Sequence, residues 1–385
     1  MLDFQLFQRS RILIQPGSIA QLGELIEYLG AKKPMIVTDK SMVNMGILDQ
    51  AVAGLKERNM EYVTFDEVLP NAPTEFIEKA SEICKKEKCD CVVGLGGGSV
   101  MDSAKAVNVL RFNEGKILDY VAHPEKIVFS PNCVLIPTTA GTGSELSDGM
   151  IIMGPDHQKY TILAYNCGSE YAIIDPAILT KLPAQLTAST GMDAFTHAIE
   201  SYTSTLANDL TDLICEMNIA TIAKYLPICV HDPGNLKARS KMSIAAAMAG
   251  WMLAYPHANT GHSVGQTLGG FFDVPHGHSV AYAEPWTMEY NAEVVPEKIK
   301  YVAECLGVRF TGKETSKEIG AKARDAFIDF RDNTLGLKPA TEFPYDESKF
   351  EEAAKVIEAD IFQLFQPRKI TAAEALGILK NIYKK

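Results

Sequence analysis

Asp193, His197, His262 and His276 have the residue types and spacing of a divalent-metal site. Asp193 and His197 stand four apart in Gly191-Met-Asp-Ala-Phe-Thr-His-Ala-Ile-Glu-Ser-Tyr202. The pattern predicts helix there, so both side chains leave one face, a turn apart. His262 sits in Thr260-Gly-His-Ser-Val-Gly-Gln-Thr-Leu-Gly-Gly270, and His276 follows fourteen residues later in the turn-like Val274-Pro-His-Gly-His278. One carboxylate and three imidazoles leave a bound M²⁺ with a residual charge of about +1, enough to polarise a carbonyl or stabilise an alkoxide. His278 and His257 compete for attention. One loop rarely aims two histidines at one ion, so His278 is expected to line the site or carry a proton. His257, in Tyr255-Pro-His-Ala258, could face a substrate. His123, His157 and His231 lie beside Pro or Asp in loop contexts and take no role.

A second kind of chemistry lies upstream. Gly96-Gly97-Gly98-Ser99 follows an apolar run and opens a helical stretch, Val100–Leu110. Glycines let a backbone approach a pyrophosphate closely, and a helix N-terminus adds unpaired N–H groups and a positive dipole end. Pro137-Thr-Thr-Ala-Gly-Thr-Gly-Ser144 again follows a strand-like run and offers hydroxyls and N–H groups to phosphate or ribose. The usual ribose-binding acid ~20 residues after the glycines is absent. Asp39, directly after Met35-Ile-Val-Thr38, is the candidate instead, with a turn or N-cap as the alternative reading. A phosphate cradle and a Lewis acid on one chain point to hydride transfer.

These residues need two different scaffolds. Through about residue 180, short β-branched runs alternate with amphipathic stretches, the pattern of a parallel α/β sheet. Met35–Thr38, Tyr62–Phe65, Cys91–Leu95 and Cys133–Pro137 are predicted strands. Asp49–Asn59 and Thr74–Lys86 are predicted helices, the latter capped by Thr74. Gly149–Met153 and Tyr160–Ala164 flank Gly154-Pro155-Asp156 and predict a hairpin. Beyond Pro176 and Pro183 the pattern is helical: 186–204, 210–225, 236–255, 296–306 and a C-terminal helix opened by the capping box Thr371-Ala-Ala-Glu374. The expected domains are 1–180 and 181–385.

At 385 residues the chain has room for two domains, and 46% hydrophobic against 22% charged residues describes an ordinary globular protein with ample core. A net charge of −11 argues against nucleic acid or an anionic membrane as partner. The N-terminal sequence lacks the layout of a signal peptide. The apolar run Met242–Tyr255 is too short to span a bilayer and predicts a buried helix. Eight scattered cysteines without a CxxC pair predict reduced structural thiols in a cytoplasmic protein; Cys89 and Cys91 would share one strand face.

The segments Gly96–Lys105, Pro137–Glu145 and Gly191–Glu200, with His262 and Pro275-His276-Gly277, closely resemble the iron-containing (group III) alcohol dehydrogenase family over essentially the whole chain. The resemblance implies an α/β dinucleotide-binding domain followed by an all-helical domain, the dehydroquinate synthase-like architecture, with a metal in the cleft between them. It implies Fe²⁺, or sometimes Zn²⁺, on Asp193, His197, His262 and His276. It also implies NAD as coenzyme, favoured by an acid at Asp39. Further cofactor contacts are implied from Asn71, Gly97, Gly98, Ser99, Thr138, Thr139, Lys159 and Leu179, and assembly as a homodimer or larger homo-oligomer. One position departs from the family. Many members carry a second histidine one turn after the third ligand, and here it is Gln266, which hydrogen-bonds but does not titrate near neutral pH.

The expected activity is reversible NAD-linked oxidation of a primary or otherwise small alcohol to its aldehyde or ketone, with Gln266, His257 and His278 as candidate catalytic groups. A specialised aldehyde or keto-acid reductase of the same family is the alternative. A dehydroquinate synthase-type lyase is disfavoured, because 186–204 and 248–290 contain no Lys or Arg to bind a phosphorylated acid.

Overall fold

The computed structural model describes residues 6–384. The leaderless reading of the N-terminus rests partly on residues 1–5, which lie outside them. The chain divides into two compact units, Met1–Lys181 and Leu182–Lys385.

Among the described residues the first unit carries eight strands: β1 (Arg11–Ile14), β2 (Pro34–Val37), β3 (Val63–Phe65), β4 (Cys91–Gly96), β5 (Cys133–Pro137), β6 (Gly149–Met153), β7 (Lys159–Leu163) and β8 (Tyr171–Ile174). Its helices are α1 (Leu22–Tyr28), α2 (Lys40–Asn44), α3 (Ile47–Glu57), α4 (Thr74–Lys86) and α5 (Gly98–Phe112). Six strands form one sheet in the order β1-β8-β5-β4-β2-β3, every pairing parallel. Each residue of β2, β4 and β5 is buried, as a parallel sheet covered on both faces requires. That is why those runs are continuously apolar rather than alternating. The chain winds outward from β2 to β3, then crosses to β4 and winds the other way. The switch therefore falls between β2 and β4, whose carboxyl ends deliver Asp39 and the triple glycine. β6 and β7 pair antiparallel as the hairpin around Gly154, as its Gly-Pro-Asp turn predicts.

Three local expectations are corrected here. Thr74 is the first helical residue of α4, and the cap position is Pro73, which sets an extended entry with φ −62°. Cys89 lies before β4 and pairs its N–H with Cys84 O at the end of α4, so Cys89 and Cys91 do not share a strand face. All eight cysteines are free thiols. The edge strand β1 was not anticipated; its apolar run Ile12-Leu13-Ile14 is only three residues long, and three of the four strand positions are exposed.

The second unit is helical: α6 (Ala184–Thr203), α7 (Asp209–His231), α8 (Leu236–Met252), α9 (Thr260–Phe272), α10 (His276–Asn291), α11 (Pro296–Cys305), α12 (Ser316–Asp329), α13 (Phe350–Ala359) and α14 (Ala372–Ile382). α6 packs against α7, α8 and α10, and α10 against α9 and α12. The predicted capping box is formed: Thr371 Oγ1 takes the Glu374 N–H and Glu374 returns a carboxylate to the Thr371 N–H. α7 continues to His231 through Pro227, carried by the burial of Leu226, Cys229 and Val230. α7 is long and apolar enough, by length and composition, to cross a membrane. α8 stops at Met252, short of the expected Tyr255, because Pro256 lacks an N–H and drives the preceding residue out of helix.

Candidate metal centre and nucleotide loops

α6 presents Asp193, His197 and Glu200 at i, i+4 and i+7, one buried stripe along a single helix. α9 supplies His262 from its first turn, and α10 begins at His276 behind Pro275. α10 meets α6 closely at Gly277, where any Cβ would overlap the Ser189 carbonyl. A side chain there would push His276 away from Asp193.

The four side chains converge. One donor atom from each of Asp193, His197, His262 and His276 lies within 4.8 Å of all the others. Asp193 Oδ1 is 3.4 Å from His276 Nε2, 3.6 Å from His197 Nε2 and 3.9 Å from His262 Nε2. These gaps exceed the ~2.7–3.2 Å of an N–H···O hydrogen bond. They suit ligands ~2.1 Å from a shared tetrahedral ion, whose donor atoms lie ~3.4 Å apart. Asp193 Oδ1 is buried and accepts no hydrogen bond among the described residues. The His197 and His262 rings stack at 4.7 Å, and Phe362 sets its edge toward His262 at 6.2 Å. The donor set thus fits a borderline divalent ion such as Fe²⁺ or Zn²⁺.

Sequence reasoning missed two acids beside this cluster. Glu200 accepts from His262 Nδ1 at 2.7 Å, and Glu284 of α10 faces Glu200. Burial pushes both carboxyls well above the usual range; Glu200 raises Glu284 further, while the N–H groups of Asn259 and His262 and the hydrogen bond with Glu284 oppose the rise of Glu200. The i+7 spacing of Glu200 from Asp193 on one helix was a signal available in the sequence; nothing local marked Glu284.

The remaining candidates lie as follows. His278 is outside the four-ligand cluster: Nδ1 is 3.0 Å from Ser189 Oγ, and the ring packs against Phe343 and Tyr282. Burial, helped by Lys338, pushes it down to about 4. His257 donates from Nδ1 to Leu253 O at 2.8 Å and packs its ring 4.5 Å from Phe365; burial lowers its pKa as well. Gln266 is half-buried on α9, one turn past His262, and its buried Nε2 has no hydrogen-bond partner among the described residues.

In the first unit, Gly97 caps α5, so Gly98 and Ser99 lie in the first turn with N–H groups leading the helix. Asn71 donates its backbone N–H to Ser99 Oγ at 3.0 Å, and Thr138 donates its own to Gly96 O at 3.0 Å. Both loops therefore meet at the carboxyl ends of β4 and β5, and Thr139 follows directly. Asp39 caps α2: Oδ1 accepts from the Ser41 and Met42 N–H groups at 2.7 and 3.2 Å. Lys159 opens β7, and Leu179 is buried in the 3-10 turn Ile178–Lys181.

The second loop is held from behind by two residues that carry no role in the sequence reading. Lys105, fully buried on α5, donates to Ser144 O at 2.9 Å, to Ser147 Oγ at 3.3 Å and to Gly149 O. Its neighbour Asp102 lies 3.2 Å away and accepts from Ser144 Oγ at 2.5 Å and the Ile151 N–H at 2.9 Å.

Two family models match: iron-containing alcohol dehydrogenase over residues 9–176, and the C-terminal Fe-containing alcohol dehydrogenase family over 187–383. The chain is 39% identical to a choline dehydrogenase of Bacillus subtilis, over 80% of this chain and 77% of that one. It is 35% identical to a 1,3-propanediol dehydrogenase of Citrobacter freundii, over 91% and 95%. An NAD-dependent methanol dehydrogenase of Bacillus methanolicus is 30% identical, over 96% and 97%. Among solved structures, a 1,3-propanediol oxidoreductase superposes with a TM-score of 0.93 at 30% identity, covering 99% of this chain and 100% of that one. A sulfoacetaldehyde reductase of Bifidobacterium kashiwanohense, in complex with NAD⁺, gives 0.87 at 25%, covering all of both chains.

Proposed function

The chain belongs to the iron-containing alcohol dehydrogenase family, NAD- and iron-dependent oxidoreductases, and from that premise we propose that it interconverts a small primary alcohol and its aldehyde. The observation that carries the reading is the convergence of Asp193, His197, His262 and His276 within 4.8 Å. Iron on these four ligands supplies a Lewis acid for the substrate oxygen, and NAD supplies the hydride acceptor.

The rest falls to the chain's own groups. The N–H groups of Gly98 and Ser99 at the start of α5, with Thr138 and Thr139, are assigned to the coenzyme's phosphates. Asn71, Lys159 and Leu179 are assigned to the coenzyme from their places in the family's pattern. Asp39 has one oxygen engaged in its cap, leaving Oδ2 for the adenosine ribose. A unit charge facing a 2′-phosphate at ~4 Å costs ~4 kcal/mol at an effective dielectric of ~20, less where solvent screens it. Gln266 is assigned to hydrogen-bond the substrate from Nε2. Burial keeps His257 and His278 neutral near pH 7 with one ring nitrogen of each already engaged, which weighs against the relay expected of them. Both are assigned to the wall of the site, and the proton to water. A cytoplasmic location, supported by the eight free thiols, and a homo-oligomeric assembly belong to the same reading.

The test is a panel of methanol, 1,3-propanediol, choline and longer primary alcohols with NAD⁺ and NADP⁺ on Fe²⁺-loaded protein. NAD⁺ is expected to be preferred, and Gln266→Ala to raise KM for the best substrate without removing a titration from the pH–rate profile. Equal kcat/KM for the two coenzymes removes Asp39 from the ribose. No turnover of any alcohol overturns the activity.

A further inference from the structure

Three N–H groups converge on the Glu200 carboxylate. The backbone N–H of Asn259 reaches Oε2 at 2.8 Å, that of His262 reaches Oε1 at 2.8 Å, and His262 Nδ1 lies 2.7 Å from Oε2. The Asn259 side chain closes the arrangement by donating Nδ2 to Glu200 O at 3.0 Å and to Thr203 Oγ1 at 3.1 Å. Both Glu200 oxygens already accept a backbone N–H, so toward the ring Glu200 is the acceptor: Nδ1 carries the imidazole proton and Nε2 keeps its lone pair. Nε2 is the atom directed at Asp193 Oδ1. The reverse tautomer would aim an N–H at the place a cation has to occupy. Donation from Nδ1 to a carboxylate also raises the basicity of the other ring nitrogen.

Glu200 is in turn boxed in. Glu284 approaches it from α10, held by Thr287 Oγ1 at 3.1 Å. Both carboxylates lie against Gly261, where a Cβ would overlap Glu200 Oε1 and Glu284 Oε2 at once. Gly261 immediately precedes the ligand His262, so the missing side chain leaves room for two acids directly behind a metal ligand. Both are fully buried, and leaving such groups without a partner is expensive. The arrangement must return something for that cost.

We propose that Glu200 is the positioning residue of the metal centre. It fixes His262 in the Nδ1–H tautomer with Nε2 toward the cluster, and Glu284, across the bare face of Gly261, holds Glu200 in that pose. The proposal rests on the four-ligand reading above and extends it to metal affinity.

The test is the Zn²⁺ affinity of chelator-stripped protein, read by competition with a chromophoric chelator beside the melting temperature of the same stripped samples. Glu200→Gln keeps the shape and removes the charge; it is expected to raise Kd ~10–100-fold. Glu200→Asp, which restores the charge one methylene short, is expected to recover part of the loss. A purely structural role for Glu200 predicts a lower melting temperature with an unchanged Kd, and that result overturns the proposal. Should Glu200→Gln fail to fold, Glu284→Gln decides: a several-fold rise in Kd supports the assignment, and an unchanged Kd overturns it. If the unmutated chain takes up no Zn²⁺, the ligand set itself is wrong, an outcome distinct from normal binding by the variants.

Discussion

The two units bury acids by opposite means. In the first, Asp102 is neutralised by a cation of the chain itself, Lys105, whose donors are spent on the carboxylate and the 144–149 loop. In the second, Asp193, Glu200 and Glu284 are 2%, 0% and 1% exposed, and among the described residues no Lys or Arg forms an ion pair with them. Glu200 and Glu284 hydrogen-bond each other and share a proton, whereas Asp193, whose buried Oδ1 takes no donor among the described residues, needs positive charge from outside the chain. A divalent ion on Asp193 and the three histidines supplies it. The contrast separates the two jobs: a built-in cation gives a permanent brace for a nucleotide loop, and a borrowed one gives a site open to substrate.

The largest effect should come from removing what holds the borrowed cation. His276→Ala is expected to lose the metal and lower kcat by ~10³-fold or more, the scale of a Lewis acid's several kcal/mol. NADH affinity should be nearly unchanged, because the coenzyme loops are built from the other unit. His278→Ala should keep its metal, since that ring packs on Ser189 and Phe343. Metal analysis and NADH titration of the two variants decide the matter. Metal retained without His276 but lost without His278 would reverse the choice between these two histidines.

What could be seen in advance follows the range of the interactions. The triple glycine after an apolar run, the hairpin at Gly154 and the capping box at Thr371 are local, and each stands where its residues predict. Asp193 and His197 were legible for the same reason, since one helix turn aligns them. Glu284 was not, because its partner Glu200 is 84 residues away in sequence (284 − 200) and only the crossing of α6, α9 and α10 brings them together. Lys105 was given no role because nothing local shows that α5 is buried on all sides. The end of α8 was misplaced because alanine-rich periodicity ran on to Tyr255 while Pro256 had already ruled out helix there.

The built-in brace can be broken next. Lys105→Met keeps the length of the side chain and strands Asp102 as a buried charge, with an expected loss of ~3–5 kcal/mol. Urea unfolding should show the loss, and NADH should bind more weakly because the Thr138–Ser144 loop is tied through Ser144. Adding Asp102→Asn removes the stranded charge and should recover part of the stability. If the double variant is no more stable than Lys105→Met alone, the ion pair is not what the first unit depends on. Chelator should not alter this difference, whereas in the second unit it should lower stability by the metal's binding linkage.

The smallest expected effect concerns the acids that share the field of Lys105. Burial pushes the Glu145 carboxyl up to about 7, although Lys105 opposes it, and pushes Asp148 up to about 6. Both values lie above those of the unfolded chain, so folding favours the protonated forms. Their contribution is complete below about pH 4 and is lost as pH rises, through about 6 for Asp148 and about 7 for Glu145. For Glu145 the change amounts to at most ~3 kcal/mol between its unfolded and folded values. Glu145→Gln keeps the shape and cannot titrate. The stability of the unmutated chain minus that of the variant should therefore fall by up to that amount from pH 4.5 to 8, most steeply below 7. Only the difference matters, because it cancels the titration of acids elsewhere in the chain. Parallel profiles for the two proteins would mean that Lys105 already keeps Glu145 ionised, and the first unit would then hold a second acid on its own cation.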